Sequence, residues 1–287
     1  MTRTTRGPRR SSAPRRSSDQ EAQQYRERKL PRKGGGAVEL TGLRTVEGLR
    51  EMDWRDYADH LLTWSELEWL LEVADCRWKH DGDPKKPHAA LSAGGCSDTF
   101  INLGTMLRSY DGVCALLAWN VMMLIPEEIR GQITWVVGSD KSATPLARSV
   151  AHLLRAKHGK MRKTDDGGEK RQYWLQENGL IEKGDLVQQV EDLTVAGKTP
   201  QSVREGVRVG NTQLEEICFS PILAMIVDCT VPQITQIGGS RVVSLARHET
   251  NNFAPGKCPL CAVGSPRLRP RGDQGRNWEV LMGRLTP

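Results

Sequence analysis

The sequence predicts an α/β fold with a parallel-sheet core flanked by helices. Two observations carry this. From Ile133 onward, short apolar runs alternate with stretches of helical period, the pattern of strands joined by crossover helices. One of those runs, starting at Leu186, leads into two acids, a short loop and a helix start. Such an arrangement places a ligand at the carboxyl end of a parallel sheet. The 287 residues allow one large domain or two small ones.

The elements follow in order. Asp53 to Leu62 puts Trp54, Tyr57, Ala58, Leu61 and Leu62 at helical spacings. Ser65 and Glu68 form a capping-box pattern, after which Leu67, Leu70, Leu71 and Ala74 line one face. The turn-rich Asp81-Gly82-Asp83-Pro84 precedes an extended piece, Ala89 to Asn102, with a tight turn at Gly94-Gly95. Asp111 to Leu124 is apolar nearly all round and predicts a buried helix. Ile133 to Val137 reads as a strand stopped by Gly138, and Pro145 to His158 as a helix with Leu146, Val150, Leu153 and Leu154 inward. Tyr173 to Leu175, Leu186 to Val190, Pro221 to Val227 and Val242 to Leu245 are further strands, and Pro200 to Val209 is a helix. Trp54, Trp64, Trp69 and Trp119 have leucine neighbours at helical spacing and read as core packing. Beyond Pro266 the chain is rich in Arg, Pro and Gly with little periodicity.

Charge is uneven. Residues 1–34 hold eleven Lys/Arg against three acids, while the whole chain is +6, so the other 253 residues carry −2. A basic body built to neutralise many phosphates is therefore not expected. Residues 1–37 read as a disordered basic tail, either a solvated extension or a contact for nucleic acid or a partner. The longest apolar run, Val113 to Ile125, has 13 residues including Asn120, whereas a membrane span needs about 20. The basic N-terminus lacks an apolar stretch after it, and seven cysteines, an odd number, suit a reducing compartment. The expectation is a cytoplasmic protein with no membrane contact.

The segment Leu186 to Thr199, LVQQVEDLTVAGKT, carries the chemistry. Its loop enters a helix N-terminus, where free backbone N–H groups suit a phosphate. Its acids can accept hydrogen bonds from sugar hydroxyls. One short stretch thus holds both ends of a ribose phosphate, or else is an acidic strand end before an ordinary helix cap.

Val190 to Thr199 resembles the phosphoribosyl-pyrophosphate (PRPP) motif of type I phosphoribosyltransferases, and the chain most resembles orotate phosphoribosyltransferase. Four further matches fall in the same order over about residues 60–275. Leu91-Ser92-Ala93-Gly94-Gly95-Cys96-Ser97-Asp98, with Phe100, Ile101 and Asn102 after it, is similar to the family's early LxSGxxS segment. Val137 to Ala147 is similar to its pyrophosphate loop, Lys160-Met161-Arg162-Lys163 to its lysine-bearing mobile loop, and Cys258 to Pro266 to a terminal CPLCxxGxP element found in a subset. The chain departs from the pattern at Cys96, at Ser142-Ala143 in place of a central glycine, at Val195 in place of Thr, and at Lys198 in place of a small residue.

The resemblance implies a phosphoribosyltransferase domain over 38–275, with a hood (60–105), a core (110–230) and a C-terminal CPLC element (240–270), then a C-terminal tail at 276–287. It implies transfer of ribose 5-phosphate from PRPP to a nucleobase, most simply orotate to give orotidine monophosphate in pyrimidine nucleotide synthesis. The implied catalytic residues are Asp192, Glu191 and Lys163. PRPP would be held by Thr194, Val195, Ala196, Gly197, Lys198 and Thr199, by Gly138, Ser139, Asp140, Lys141 and Ser142, and by Lys160 and Arg162. Ser92 and Phe100 would meet the base, and Asp192 would meet Mg carried by PRPP. A homodimer is implied, since a loop of the 160–163 kind serves the neighbouring subunit's site in the family. Cys258 and Cys261 are either a reduced structural turn, a redox pair or half of a Zn site, which His248, Cys229 or a second subunit would complete. His88 reads as a surface or loop residue. The alternative function is a PRPP-binding regulator without catalysis.

Overall fold

A computed structural model of the chain describes residues 45–286, apart from 59, 92–93 and 167–168 and the side chains of 165, 166, 169 and 170. The expectations for the basic tail (1–37) and for Ser92 lie outside the described residues.

The chain begins with α1 (Val46–Glu51), a 3-10 turn at Trp54–Tyr57 and α2 (Trp64–Val73). The helix expected over Asp53 to Leu62 is thus a single turn. Two overlapping capping boxes compete just after it, and the earlier one wins. Thr63 accepts from the Glu66 amide while the Glu66 carboxylate accepts from the Thr63 amide, so the helix starts two residues before the position marked by Ser65. Next come β1 (Arg77–Lys79), β2 (His88–Ala90), β3 (Cys96–Ser97), β4 (Thr99–Ile101), α3 (Leu103–Ser109), α4 (Asp111–Met123) and α5 (Glu127–Arg130).

The central layer then unfolds as β5 (Ile133–Val137), α6 (Thr144–Leu154), β6 (Lys157–Gly159), the hairpin β7 (Met161–Asp166) and β8 (Glu169–Trp174), β9 (Leu186–Thr194), α7 (Lys198–Val209), β10 (Phe219–Asp228), β11 (Gln236–Ile237) and β12 (Ser240–Arg247). The helix expected to reach His158 stops at Leu154, because Arg155 takes a left-handed backbone (φ 57°) and the chain turns into β6. The last segment supplies β13 (Asn252–Phe253), α8 (Pro259–Ala262), β14 (Arg267–Leu268) and α9 (Arg276–Leu281). Residues 276–287, set apart as a tail from sequence, therefore carry a helix, and Leu281 packs with Trp78 and Ala89.

The six-stranded sheet runs β11-β12-β10-β9-β5-β6, parallel throughout except for β11. Its alternating side chains bury both faces. Val136, Val190, Ala224 and Ile226 pack with α2, α3, α4 and α6, and Trp135, Val137 and Val187 pack with Val203 and Val207 of α7. In α4, Val113, Leu116, Leu117 and Val121 are fully buried, each contributing roughly 1.5–3 kcal/mol of transfer free energy. Asn120 sits among them and is satisfied: its Oδ1 accepts from the Leu62 amide and its Nδ2 donates to the Leu116 carbonyl. A second sheet, β13-β3-β2-β14, forms the hood from segments at both ends of the described chain.

Candidate functional site

The five parallel strands stand in the spatial order β6-β5-β9-β10-β12. After β5 the chain crosses on the α6 face, and after β9 it crosses on the α7 face. The two connections part between β5 and β9, which opens a crevice at the carboxyl ends of those strands. A cavity of about 610 Å³ lies there. Its lining includes Lys163, Lys198, Arg269 and Arg271, against the carboxylates of Asp140 and Asp192. Four cations facing two acids suit a polyanionic ligand.

One wall is the loop from β9 to α7. The Gly197 amide donates to Thr194 Oγ1, closing a tight turn, and Gly197 takes φ 71°, a conformation that favours glycine. No side chain caps α7. Its first amides are left for a ligand, beside the Thr199 hydroxyl. Thr194, Val195, Ala196, Lys198 and Thr199 all line the cavity, whereas Gly197 shapes the turn behind them.

The acid pair is split. β9 continues to Thr194, past its expected end at Val190, so Glu191 and Asp192 lie within the strand and point to opposite faces. Asp192 lines the cavity; burial raises its pKa, opposed by the Leu193 amide and by the positive field of Arg271 and Arg108. Glu191 is fully buried toward α7. Its Oε2 accepts from the Ser139 amide at 3.4 Å and its Oε1 from Gln189 Nε2 at 2.8 Å. Gln189 Oε1 in turn accepts from Arg204 Nε at 2.9 Å. Arg204 is 1% exposed and also donates to the Gly238 carbonyl and Ser240 Oγ. A buried guanidinium is thus linked through one amide side chain to a buried carboxyl and on to the loop after β5.

Burial pushes the Glu191 carboxyl up to about 7, the Ser139 and Gln189 hydrogen bonds holding it down and Asp192 adding repulsion. The folded state therefore binds this proton more tightly than the unfolded chain, whose carboxyl titrates near 4.5. Stability falls as pH rises through that interval and levels off above it, by an amount on the order of 3 kcal/mol. Glu191→Gln removes the titration. The variant is expected to melt higher than wild type at pH 8 and to show a flatter profile between pH 5 and 7.5. Parallel pH profiles in a thermal-melting series would contradict this.

The second wall is the loop after β5. At Gly138 a Cβ would meet the Val190 carbonyl at 2.8 Å and Ala143 Cβ at 3.0 Å, so only glycine fits between β9 and α6. Ser139, Asp140 and Ser142 line the cavity, while Lys141, at φ 66°, does not. The loop is pinned from outside. Arg108 donates to the Lys141 carbonyl, the Asp140 amide donates to Gln172 Oε1, and Asp140 Oδ2 accepts from the Lys163 amide. The last two bonds tie the β7–β8 hairpin to the loop and place Lys163 at the cavity. Lys160 is drawn to Glu177 at 2.8 Å, and neither it nor Arg162 lines the cavity of its own chain.

The hood supplies the third wall, with Ala90, Leu91 and Phe100. Arg269 and Arg271, from the stretch that showed no periodicity, complete it. Arg271 donates to Ser142 Oγ and Asn102 Oδ1 and lies 5.8 Å from the Phe100 ring centre. Arg108, Gln172, Arg269 and Arg271 were all missed from sequence. Only their type, basic or amide, hinted at a role; the fold alone brings them to the crevice.

Every polar side chain lining the cavity offers oxygen or nitrogen, and the anionic donors are carboxylates. That set fits Mg bound together with phosphates, with Asp192 as the residue to hold it. The cysteines gather elsewhere. His248 stacks on Trp64 at 4.3 Å and Cys229 is buried beyond β10, so neither joins Cys258 and Cys261. The residues beside that pair are His88 and Cys96. His88 is fully buried on β2 rather than at the surface.

No family model matches the chain, and no curated protein matches it. Solved structures do. One is orotate phosphoribosyltransferase from Aeropyrum pernix, 16% identical, covering 63% of this chain and 93% of that one at a TM-score of 0.43. Another is UMP synthase from Leishmania donovani, 16% identical, covering 63% of this chain and 36% of that one at 0.44, so the chain spans about a third of it. A third is adenine phosphoribosyl transferase from Trypanosoma brucei, solved with AMP, pyrophosphate and ribose-5-phosphate, 14% identical, covering 69% and 81% at 0.43.

Proposed function

We propose that the protein transfers ribose 5-phosphate from PRPP to a nucleobase, with pyrophosphate leaving, and that the base is orotate. One observation carries this reading: a single cavity joins a helix-start phosphate loop, a carboxylate, and a glycine-hinged loop beside cationic side chains. These are the groups needed for a 5-phosphate, a ribose and a pyrophosphate.

Cleavage at the anomeric carbon builds oxocarbenium character and leaves a highly charged group. Catalysis is therefore mainly positioning and charge neutralisation. The amides at the start of α7 and the Thr199 hydroxyl hold the 5-phosphate. Asp192 accepts from the ribose hydroxyls, and Glu191 stiffens the Ser139 amide beneath the pyrophosphate. Ser139 to Ser142, Lys163 and Arg271 take up the leaving group's charge. Mg bound with PRPP would add countercharge on the same oxygens. Phe100 offers a stacking face, and Arg269 and Arg271 favour an acidic base such as orotate over a neutral one. Lys160 and Arg162, away from their own cavity, fit service at a neighbouring subunit and hence a homodimer. Among the described residues no helix is long and apolar enough to cross a membrane.

The second reading is a regulator that binds PRPP without turnover. It is favoured by Val195, which is 38% exposed in the phosphate loop and brings no hydroxyl. The experiment uses purified protein, PRPP, Mg and a panel of orotate, uracil, adenine and guanine, with pyrophosphate release as the signal. Turnover with orotate alone is expected. Turnover with adenine alone would overturn the base assignment. PRPP binding by calorimetry with no turnover on any base would favour the regulator, and absence of binding would end both readings.

A further inference from the structure

We propose that His88, Cys96, Cys258 and Cys261 form a four-ligand zinc site that locks the hood, distinct from the cavity and independent of its assignment. The ligand atoms of the four residues all lie within 4.8 Å of one another. Three of these separations match edges of a single tetrahedron. Cys96 Sγ is 3.6 Å from Cys261 Sγ, and His88 Nε2 is 3.6 Å from Cys258 Sγ and 3.3 Å from Cys261 Sγ. A zinc ion with Zn–S of about 2.3 Å and Zn–N of about 2.0 Å needs separations of about 3.8 Å between sulfurs and about 3.5 Å between nitrogen and sulfur.

Four features of this set favour metal ligation. First, the ring of His88 is oriented by its far nitrogen. Ser265 Oγ donates to the Lys86 carbonyl at 2.7 Å, so at 2.7 Å from His88 Nδ1 it accepts that nitrogen's proton. The Nε2 lone pair is left facing the three sulfurs, as in a metal-ligating histidine held by an outer hydrogen bond. Second, the Leu260 and Cys261 amides at the first turn of α8 donate toward the Cys258 sulfur, the pattern of a metal knuckle. Third, all three sulfurs are free of disulfide bonds. Fourth, the ligands come from three separate strands or turns of the hood. β2 and β3 supply His88 and Cys96, the N-cap and first turn of α8 supply the cysteine pair, and the adjoining strands β13 and β14 have two residues each. Hydrophobic burial alone gives so thin a sheet little stability, which is the setting in which a structural metal serves.

Zinc is the metal the donors select. Three thiolates and one imidazole in a closed tetrahedron make a structural Cys3His site with no open position for water or substrate. Binding transfers three thiol protons to solvent, involves no oxidation, and leaves a centre of net charge −1. Its mechanical consequence reaches the cavity, because β14 runs from the metal knuckle directly into Arg269 and Arg271.

The test is the metal content of the untagged full-length protein, with Cys261→Ser and Cys96→Ser as variants. Mass spectrometry of the purified protein is expected to find about one zinc per chain, falling at least about tenfold in each variant. Cobalt(II) exchanged into the wild-type protein should give the intense visible bands of a tetrahedral thiolate site. Should the variants fail to fold, zinc released from the wild type by a mercurial reagent still measures the stoichiometry. Seven freely titrating thiols with no zinc, a disulfide between any two of the three cysteines, or full zinc retained in both variants would each overturn the proposal.

Discussion

Asp192→Asn is expected to lose turnover by at least about a hundredfold while the protein stays folded. The substitution keeps the shape and removes one charge. Asp192 is 5% exposed, yet it is the carboxylate on β9 that faces the cavity. Its charge is tuned by neighbours: burial raises its pKa, while Arg271 and Arg108 oppose that rise. Asparagine leaves Arg271 at the cavity, and Arg108 near it, without their acid, and on the proposed function the ribose hydroxyls would lose an acceptor and Mg would lose an oxygen ligand. Stability should move the other way, because a buried carboxylate is costly to keep ionised. The expected signature is a thermal midpoint equal to or above wild type at pH 8 together with collapsed kcat/KM for PRPP. Wild-type kinetics would remove Asp192 from the mechanism.

Arg204→Met is expected to be the most destabilising single change in the core, by roughly 3–5 kcal/mol. The guanidinium is buried, and desolvation, with some repulsion from Arg208, lowers its pKa to about 10. Its hydrogen bonds to Gln189, Gly238 and Ser240 and its seat 4.4 Å from the Phe219 ring centre offset that cost. Methionine fills similar volume but orphans Gln189 Oε1 inside the protein. Urea unfolding reads the loss. The partner variant Gln189→Leu tests the linkage: if the relay acts as a unit, the double variant is less destabilised than the two singles added together. Strict additivity would show that Arg204 and Gln189 act separately.

The legible parts of the chain were those whose cause is local. Ile133–Val137 was read to the residue because a run with four apolar residues of five ends at a glycine that the fold requires. The buried α4 was read because its apolar pattern has no exposed face. Where two local signals overlap, as with Thr63/Glu66 and Ser65/Glu68, sequence alone does not rank them. Arg155 ends α6 in a left-handed conformation that nothing in its residue type announces. β9 passes its expected end because backbone pairing with β10 (Met225 with Glu191, Val227 with Leu193) carries two acids into the sheet against their propensity. The loop between β9 and α7 was legible as a motif, but the opposite orientations of Glu191 and Asp192 follow from a strand boundary that was not. The hood was least legible, since its pairings join Asn252 to Ser97 and Arg267 to His88. No periodicity within either segment encodes a partner more than 150 residues away.

That same interleaving sets an order of assembly on the ribosome. All six strands of the central sheet have been synthesised once Arg247 has emerged, whereas β2 and β3 must wait for β13 and β14 at the far end of the chain. Nascent protein therefore passes through a stage with a complete central sheet and an unfinished roof.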